Sequence, residues 1–182
     1  MSDTPVYSHL LRLADLPVRK PTRFSLAPGS DARSALAEAF GITAVSALTF
    51  KGELRAGGNK DWQLTAELDA EVEQPCVVTL APVVTDIHEP VLRRYVADLP
   101  PPEAEETEMP EDDSIEPLPE TIDLGAVMAE ALALALPLYP RSRGARLDQT
   151  VFCQPGVAPL TDEALRPFAD LADILRKGTP KQ

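Results

Sequence analysis

Residues 61–73 show the most regular pattern in the chain, a two-residue alternation of apolar and polar side chains. Because successive side chains of a β-strand point to opposite faces, this pattern predicts a strand with one buried and one solvated face. A sheet with one wet face is typically antiparallel. The residues expected to point inward are Trp62, Leu64, Ala66, Leu68, Ala70 and Val72.

Neighbouring segments extend this strand into a sheet. The period of two already begins near Ile42, and the turn sequence GGNKD interrupts it, so residues 43–73 predict a long hairpin. Phe24 and Leu26 alternate with polar neighbours, as in an edge strand. After Pro75, the sequences CVVTL and VVTDIHEPVLRRYV predict two further strands that reach to about residue 97.

Three segments have helical spacing instead, at about residues 31–40, 124–136 and 162–176. Ser30 and Asp123 are the expected N-caps of the first two helices. Together with the hairpin, these helices predict an α+β fold with a mostly antiparallel sheet. The middle helix is apolar around most of its surface, but it is much shorter than the about 20 residues that span a bilayer. We therefore expect a buried helix that covers the sheet.

An acidic, proline-rich segment separates the predicted sheet from the middle helix. Residues 103–120 contain nine of the 29 Asp and Glu residues and no Lys or Arg, so most of the net charge of −12 lies there. Runs of like charge with few apolar residues bury too little surface to fold. The sequence therefore predicts one domain over residues 1–182 with a flexible insert at 99–120.

Residue types that catalyse reactions or bind metals are sparse. Cys76 and Cys153 are far apart, and neither belongs to a Cys-x-x-Cys pair. His9 and His88 have no second ligand at a metal-binding spacing, although acidic neighbours are expected to raise the pKa of His88. The sequence has no phosphate-binding glycine loop and no convergent cluster of acidic residues outside the insert. We expect no catalytic residues, no metal site and no cofactor.

One acidic residue, Glu130, lies within the most apolar helix. An unpaired buried charge is costly, so a partner arginine is a better explanation than proton transfer. The sequence leaves two placements open, facing the basic residues 141–146 or pointing outward at the rim of the helix.

Basic residues are densest in the turn-rich sequence RSRGAR, with Tyr139 and Phe152 nearby as aromatic groups that could stack on bases. A loop of this kind can contact RNA phosphates. A second basic pair lies on a predicted strand, where adjacent side chains point to opposite faces, so one surface can present only one of them. The candidate RNA-contact residues are Arg141, Arg143, Arg146, Arg93 and Arg94.

The order of these features resembles the bacterial YceD family, whose members are called large ribosomal RNA subunit accumulation proteins. The resemblance covers roughly residues 40–150 and is carried by PCVVTLAPVVTDIHEPVLRRY, the acid-rich insert and IDLGAVMAEALALALPLYPR. It implies a small cytoplasmic protein, not a known enzyme, that is needed for accumulation or processing of large-subunit ribosomal RNA.

Many members of that family carry Cys-x-Arg-Cys at the first of these sites and a second cysteine pair after the Leu-Pro. In this chain Cys76 is followed by Val77, Val78 and Thr79, and the sequence YPRSRGAR contains no cysteine. The resemblance therefore implies no metal role for this site in the present chain.

Two functions are consistent with these observations. The main hypothesis is a noncatalytic ribosome-biogenesis factor that binds the precursor of large-subunit ribosomal RNA, a ribosomal protein, or both. The alternative is an adaptor that binds ribosomal proteins without direct RNA contact, through the sheet edge or the acidic insert. The N-terminal sequence lacks the pattern of an export signal, which favours the cytoplasm.

Overall fold

The computed structural model describes residues 6–97, 99 and 114–147. These residues contain seven strands and two helices. The strands are β1 (Leu10–Arg12), β2 (Thr22–Leu26), β3 (Ala44–Ala56), β4 (Trp62–Pro75), β5 (Pro82–Val96), β6 (Ile115–Pro117) and β7 (Thr121–Asp123), and the helices are α1 (Ser30–Phe40) and α2 (Leu124–Ala135). The chain divides into two compact units, Met1–Arg143 and Gly144–Gln182. The predicted helix at 162–176 lies outside the described residues.

The first unit is built on a five-stranded sheet with the order β2-β3-β4-β5-β6. Strands β3 and β4 form the predicted long hairpin, and β4 pairs with β5 from Trp62–Tyr95 to Pro75–Pro82. All of these neighbours are antiparallel except β5 and β6, which pair in parallel. The predicted α+β class, the mostly antiparallel sheet and the edge position of β2 are confirmed.

The alternation predicted for β4 is confirmed, since its six inward residues are all buried. Strand β3 departs from strict alternation. The sequence pattern placed Val45 and Leu48 on opposite faces, but both are buried because the pairing with β4 shifts between Val45 and Ala47. A β-bulge inserts one extra residue and so reverses the facing of the residues before it.

Helix α1 begins one residue earlier than predicted. Gly29 occupies the N-cap position without a side-chain hydrogen bond, and the Ser30 hydroxyl, predicted to be the cap, donates to Asp31 at 3.1 Å instead. At the other end Gly41 adopts a left-handed conformation, φ 65°, which glycine adopts without steric cost. Both helices pack into one core with the inward faces of β3, β4 and β5.

The N-terminal segment of the described chain holds the start of α2. Asp123 caps the helix as predicted, accepting hydrogen bonds from the N–H groups of Gly125 at 2.9 Å and Ala126 at 3.3 Å. The same carboxylate accepts the Ser8 hydroxyl and the His9 N–H, each at 2.7 Å. Strand β1 then pairs with β7 in a separate two-stranded sheet. Asp123 therefore joins two segments that are far apart in sequence.

The sequence Ile-Asp-Leu-Gly at this point has a structural explanation at each position. Ile122 and Leu124 are buried in the core. Gly125 allows a close approach of two backbones, because an added Cβ would lie 2.5 Å from the carbonyl oxygen of Tyr7. The motif is therefore required by packing of the N-terminal segment against α2 and does not by itself indicate a catalytic site.

Two sequence predictions require correction. Residues 76–80, predicted to be a strand, form the turn that joins β4 to β5. The C-terminal part of the predicted flexible insert, residues 115–117, is strand β6, which pairs with Arg94–Val96. Residues 100–113 of the insert lie outside the described residues. No helix in the described part of the chain is long and apolar enough to span a membrane.

Candidate nucleic-acid interface

Two segments that leave the core lie side by side at one end of the sheet. The first is the turn between β4 and β5, residues 76–81, here called the Cys76 turn. The second is the chain that leaves α2, residues 137–143, here called the exit segment. The Val77 N–H donates to the carbonyl oxygen of Pro140 at 2.9 Å, which ties the two together.

The thiol of Cys76 is the centre of this contact. The residue is fully buried, and its Sγ accepts the N–H groups of Val78 at 3.4 Å and Thr79 at 3.5 Å within its own turn. It also accepts the N–H of Ser142 at 3.4 Å and the Ser142 hydroxyl at 3.5 Å. One sulfur atom therefore joins the turn to the exit segment.

These hydrogen bonds alter the ionisation of the thiol. The bonds from the Ser142 hydroxyl and N–H, and then those from Thr79, lower the pKa of Cys76 from 9.0 to about 6, while burial acts in the opposite direction. The Thr79 and Ser142 hydroxyls also lie 3.2 Å apart. At neutral pH the thiolate form is therefore favoured at the contact between the two segments.

The same contacts explain why the CVVTL sequence is not a strand, although its β-branched residues favour one. The Cys76 N–H donates to Ala81 at 2.8 Å and the Leu80 N–H donates back to Cys76 at 2.9 Å, which closes the turn. Leu80 has φ 59°, a left-handed conformation that is uncommon for a residue with a side chain. Sequence propensity for strands is overridden here by local hydrogen bonding.

The groups around the Cys76 sulfur are not those of a protein zinc site. Besides Cys76 they are the hydroxyls of Thr79 and Ser142, whereas protein zinc sites use thiolate, imidazole and carboxylate ligands. Among the described residues, no group of three or more His, Cys, Asp or Glu side chains is placed to hold a metal ion. The contact between the two segments consists of hydrogen bonds.

Two of the predicted RNA-contact residues, Arg141 and Arg143, lie in the exit segment and are exposed. Within the part of the chain that the structure describes, neither forms an ion pair. No Asp or Glu occurs in residues 131–147 or in residues 75–85. Arg141 and Arg143 are here called the arginine pair. Together, these two stretches carry arginines and no carboxylate, and the thiolate of Cys76 is the negative group that their contact itself adds.

The third arginine of that sequence, Arg146, belongs to the second unit, of which residues 144–147 are described. It is exposed. Gly144 precedes it with φ 80°, a conformation that favours glycine. Phe152, the more distant aromatic residue predicted to stack on bases, lies outside the described residues.

The predicted strand pair of arginines has a different environment. Arg93 is only 17% exposed and forms ion pairs with Glu116 and, at 2.9 Å, with Glu130. Glu130 thus has the arginine partner expected from the sequence, but that partner lies on β5 and not in the 141–146 loop. Because its charge is matched by two carboxylates, we do not retain Arg93 as an RNA-contact candidate. Arg94 is exposed, and its N–H donates to Ser114 at 2.7 Å.

His88 lies on the solvated face of the sheet, as expected for an exposed strand residue. Its Nδ1 lies 2.6 Å from the carboxylate of Asp69 on β4. This hydrogen bond, together with the negative charges of Asp69, Glu67 and Glu89, raises the pKa of His88 above 6.5, as predicted. The arrangement is a cross-strand pair between exposed side chains.

Large exposed apolar side chains lie on the same two segments as the arginine pair. Leu138 is 86% exposed, Tyr139 and Leu80 are each 77% exposed, and Val77 is 48% exposed. Sequence reasoning noted Tyr139 but missed the other three, because the contact between the Cys76 turn and the exit segment was not predicted. The two joined segments together carry these exposed apolar groups and two exposed guanidinium groups.

Comparison with known families identifies the relatives of this chain. Residues 64–175 match the family described as large ribosomal RNA subunit accumulation protein YceD. The chain belongs to the YceD family. The matched region begins in β4 and includes the Cys76 turn, α2 and the exit segment. Neither curated proteins nor solved structures show a significant match.

Membership of the YceD family confirms the resemblance predicted from sequence. The family description concerns accumulation of the large ribosomal RNA subunit and names no enzymatic reaction. The function of this chain therefore falls within large-subunit ribosomal RNA accumulation.

Proposed function

We propose that this YceD-family protein is a noncatalytic ribosome-biogenesis factor that binds the precursor of large-subunit ribosomal RNA through the exit segment. The observation that carries the proposal is the arginine pair, which is exposed and lies on a backbone tied to the core by Cys76 and Val77. Guanidinium groups bind phosphates with directed hydrogen bonds, and an ordered loop loses less entropy on binding.

The uneven charge of the chain is consistent with this proposal. Nine acidic residues lie in residues 103–120, whereas the exit segment and the Cys76 turn contain none. At physiological salt, exposed charges act over a Debye length of about 8–10 Å, so the groups next to the arginine pair matter more for RNA binding than the net charge of −12. We propose that the acidic insert limits nonspecific RNA binding elsewhere on the protein.

The test is the salt dependence of RNA binding by the purified chain, measured by fluorescence anisotropy with a labelled fragment of large-subunit ribosomal RNA. Replacing Arg141, Arg143 and Arg146 by alanine should weaken binding at low salt and reduce the slope of log K against log salt by about 2. The matched control replaces Arg12, Arg19 and Lys20, which are also exposed and form no ion pair within the described part of the chain, so both variants lose the same charge. Equal affinities of the two variants would show that the exit segment is not the contact.

The alternative proposal is an adaptor that binds ribosomal proteins without touching RNA. The exposed side chains of Leu80 and Leu138 support it, because exposed apolar groups near one another are typical of protein contacts. Deleting residues 103–113, which leaves strand β6 and the Arg93–Glu116 ion pair in place, separates the two proposals. If the deletion variant loses binding to a basic ribosomal protein but keeps RNA binding, the acidic insert is assigned to protein contact. If the intact chain itself binds no RNA, the adaptor proposal is favoured.

A further inference from the structure

We propose that the RNA bound at the exit segment is unpaired, with one base stacked on Tyr139 and the adjoining phosphates held by Arg141 and Arg143. This inference rests on the proposed function and adds the class of RNA. It follows from the position of one exposed aromatic ring on a backbone that is fixed on both sides, by Gln74 at the Pro137 carbonyl and by Val77 at the Pro140 carbonyl.

The ring of Tyr139 is available to a ligand. Its side chain is 77% exposed, although it is large and partly apolar. The next residue, Pro140, accepts the Val77 N–H at 2.9 Å, and Ser142 is held by the sulfur of Cys76. The ring therefore extends from a fixed backbone, two residues before the first arginine, so little entropy is lost when a base stacks on it.

The surface combines the two kinds of group that single strands require. Bases of an unpaired strand stack on aromatic side chains, while guanidinium groups contact the backbone. In a duplex the base faces are covered by their neighbours, and the deep major groove of RNA excludes side chains. A surface that bound only duplex phosphates would make no use of an exposed ring.

The neighbouring apolar groups favour the same ligand. Leu138 and Leu80, both largely exposed, lie on the two segments that Cys76 joins, where they can cover the edge of a stacked base or its ribose. Leu80 is carried by the closed Cys76 turn with a left-handed backbone, φ 59°, which fixes the position of its side chain base. The flanking arginines, without acidic residues in either segment, favour a polyanion over an apolar protein surface.

The experiment compares a fluorescent single-stranded RNA of about 12 nucleotides with the same strand annealed to its complement, at one salt concentration. The intact chain should bind the single strand about tenfold more tightly, because only the unpaired strand can stack a base on the ring. Tyr139→Ala should remove most of that preference, and Tyr139→Phe should retain it because the ring remains. Leu138→Ala, which changes a neighbour that is still more exposed, should have a smaller effect.

A base analogue provides a second readout that a structural defect would not mimic. A 2-aminopurine in the strand is quenched when it stacks, so quenching is expected with the intact chain and Tyr139→Phe but not with Tyr139→Ala. Equal affinity for duplex and single strand, or an unchanged affinity of Tyr139→Ala, would overturn the stacking inference. If Arg141→Ala/Arg143→Ala still weakened binding, the proposed function would stand while the inference failed.

Discussion

Two side chains, Asp123 and Cys76, fix the chain at the two ends of α2, and they do so with different chemistry. Asp123 precedes the helix and accepts four hydrogen bonds at 2.7–3.3 Å, two of them from the N-terminal segment. Cys76 holds the segment that leaves the helix and accepts four hydrogen bonds at 3.4–3.5 Å, two of them from Ser142. Each joins distant parts of the chain through one acceptor group.

The comparison shows that the strength and the pH range of the two contacts differ. Burial acts to raise the pKa of Asp123, but its hydrogen bonds from His9, Ser8, Ala126 and Gly125 together lower it below 3.8, so the carboxylate is charged at all ordinary pH values. Cys76 ionises at about pH 6. The longer bonds to sulfur are also weaker than those to a carboxylate oxygen. Near neutral pH, Asp123 is therefore the stronger contact, and Cys76 is the pH-dependent one.

The largest expected effect is that of Asp123→Ala. The substitution removes a helix cap and leaves the donors of Ser8 and His9 without their acceptor, so we expect the free energy of unfolding to fall by about 2–3 kcal/mol. Urea unfolding followed by circular dichroism measures this change. Asp123→Asn is the matched control, because its amide oxygen can still cap the helix, and it should cost less than half as much. A fall below about 0.5 kcal/mol for Asp123→Ala would contradict the comparison.

The cap was predictable from sequence and the rest of the Asp123 contact was not. A carboxylate before an apolar helical run is a local signal, because the N–H groups that it accepts lie two and three residues later. The bonds from Ser8 and His9 come from 115 and 114 residues away, and no local pattern encodes such a contact. The Gly125 requirement has the same origin, since it depends on the approach of Tyr7.

The Cys76 turn was predicted wrongly for a related reason. The run Cys-Val-Val-Thr has high strand propensity, and nothing local to it signals that sulfur will accept N–H groups from Ser142 in the exit segment. The hairpin of β3 and β4 was predictable because alternation and a glycine turn are local patterns, apart from the bulge at Val45–Ala47. Likewise, the need of Glu130 for an arginine was predictable, but its partner Arg93 was set by the packing of α2 on β5.

The second expected effect is a difference in pH dependence. The pKa of Cys76 is lower in the folded chain, about 6, than its ordinary value of 9.0. Its contribution to stability is therefore fully present above pH 9 and is lost as the pH falls through 6. We expect the free energy of unfolding of the intact chain, relative to Cys76→Ser, to rise between pH 6 and pH 9.

The control for this measurement is Asp123→Asn. The pKa of Asp123 is lowered in the folded chain, so its contribution to stability is present above pH 3.8 and is lost as the pH falls through the still lower folded value. The free energy of unfolding of Asp123→Asn, relative to that of the intact chain, should therefore be constant from pH 6 to pH 9. The raised pKa of His88 acts in the opposite sense, since its contribution is lost as the pH rises through the folded value. Because His88 is present in every variant, its contribution cancels when the free energy of unfolding of a variant is compared with that of the intact chain. A flat difference for Cys76→Ser would show that the thiol stays neutral.

The smallest expected effect concerns function and separates the two contacts most sharply. Cys76→Ala removes the acceptor for Ser142 and loosens the exit segment, so the arginine pair must be ordered when RNA binds. We expect affinity for single-stranded RNA to fall roughly threefold, because ordering a few side chains costs a modest free energy. Asp123→Asn, at the other end of α2, should leave RNA affinity unchanged. Both variants are compared by anisotropy at a temperature where each is fully folded, and an equal loss in the two would show that affinity follows overall stability and not the position of the exit segment.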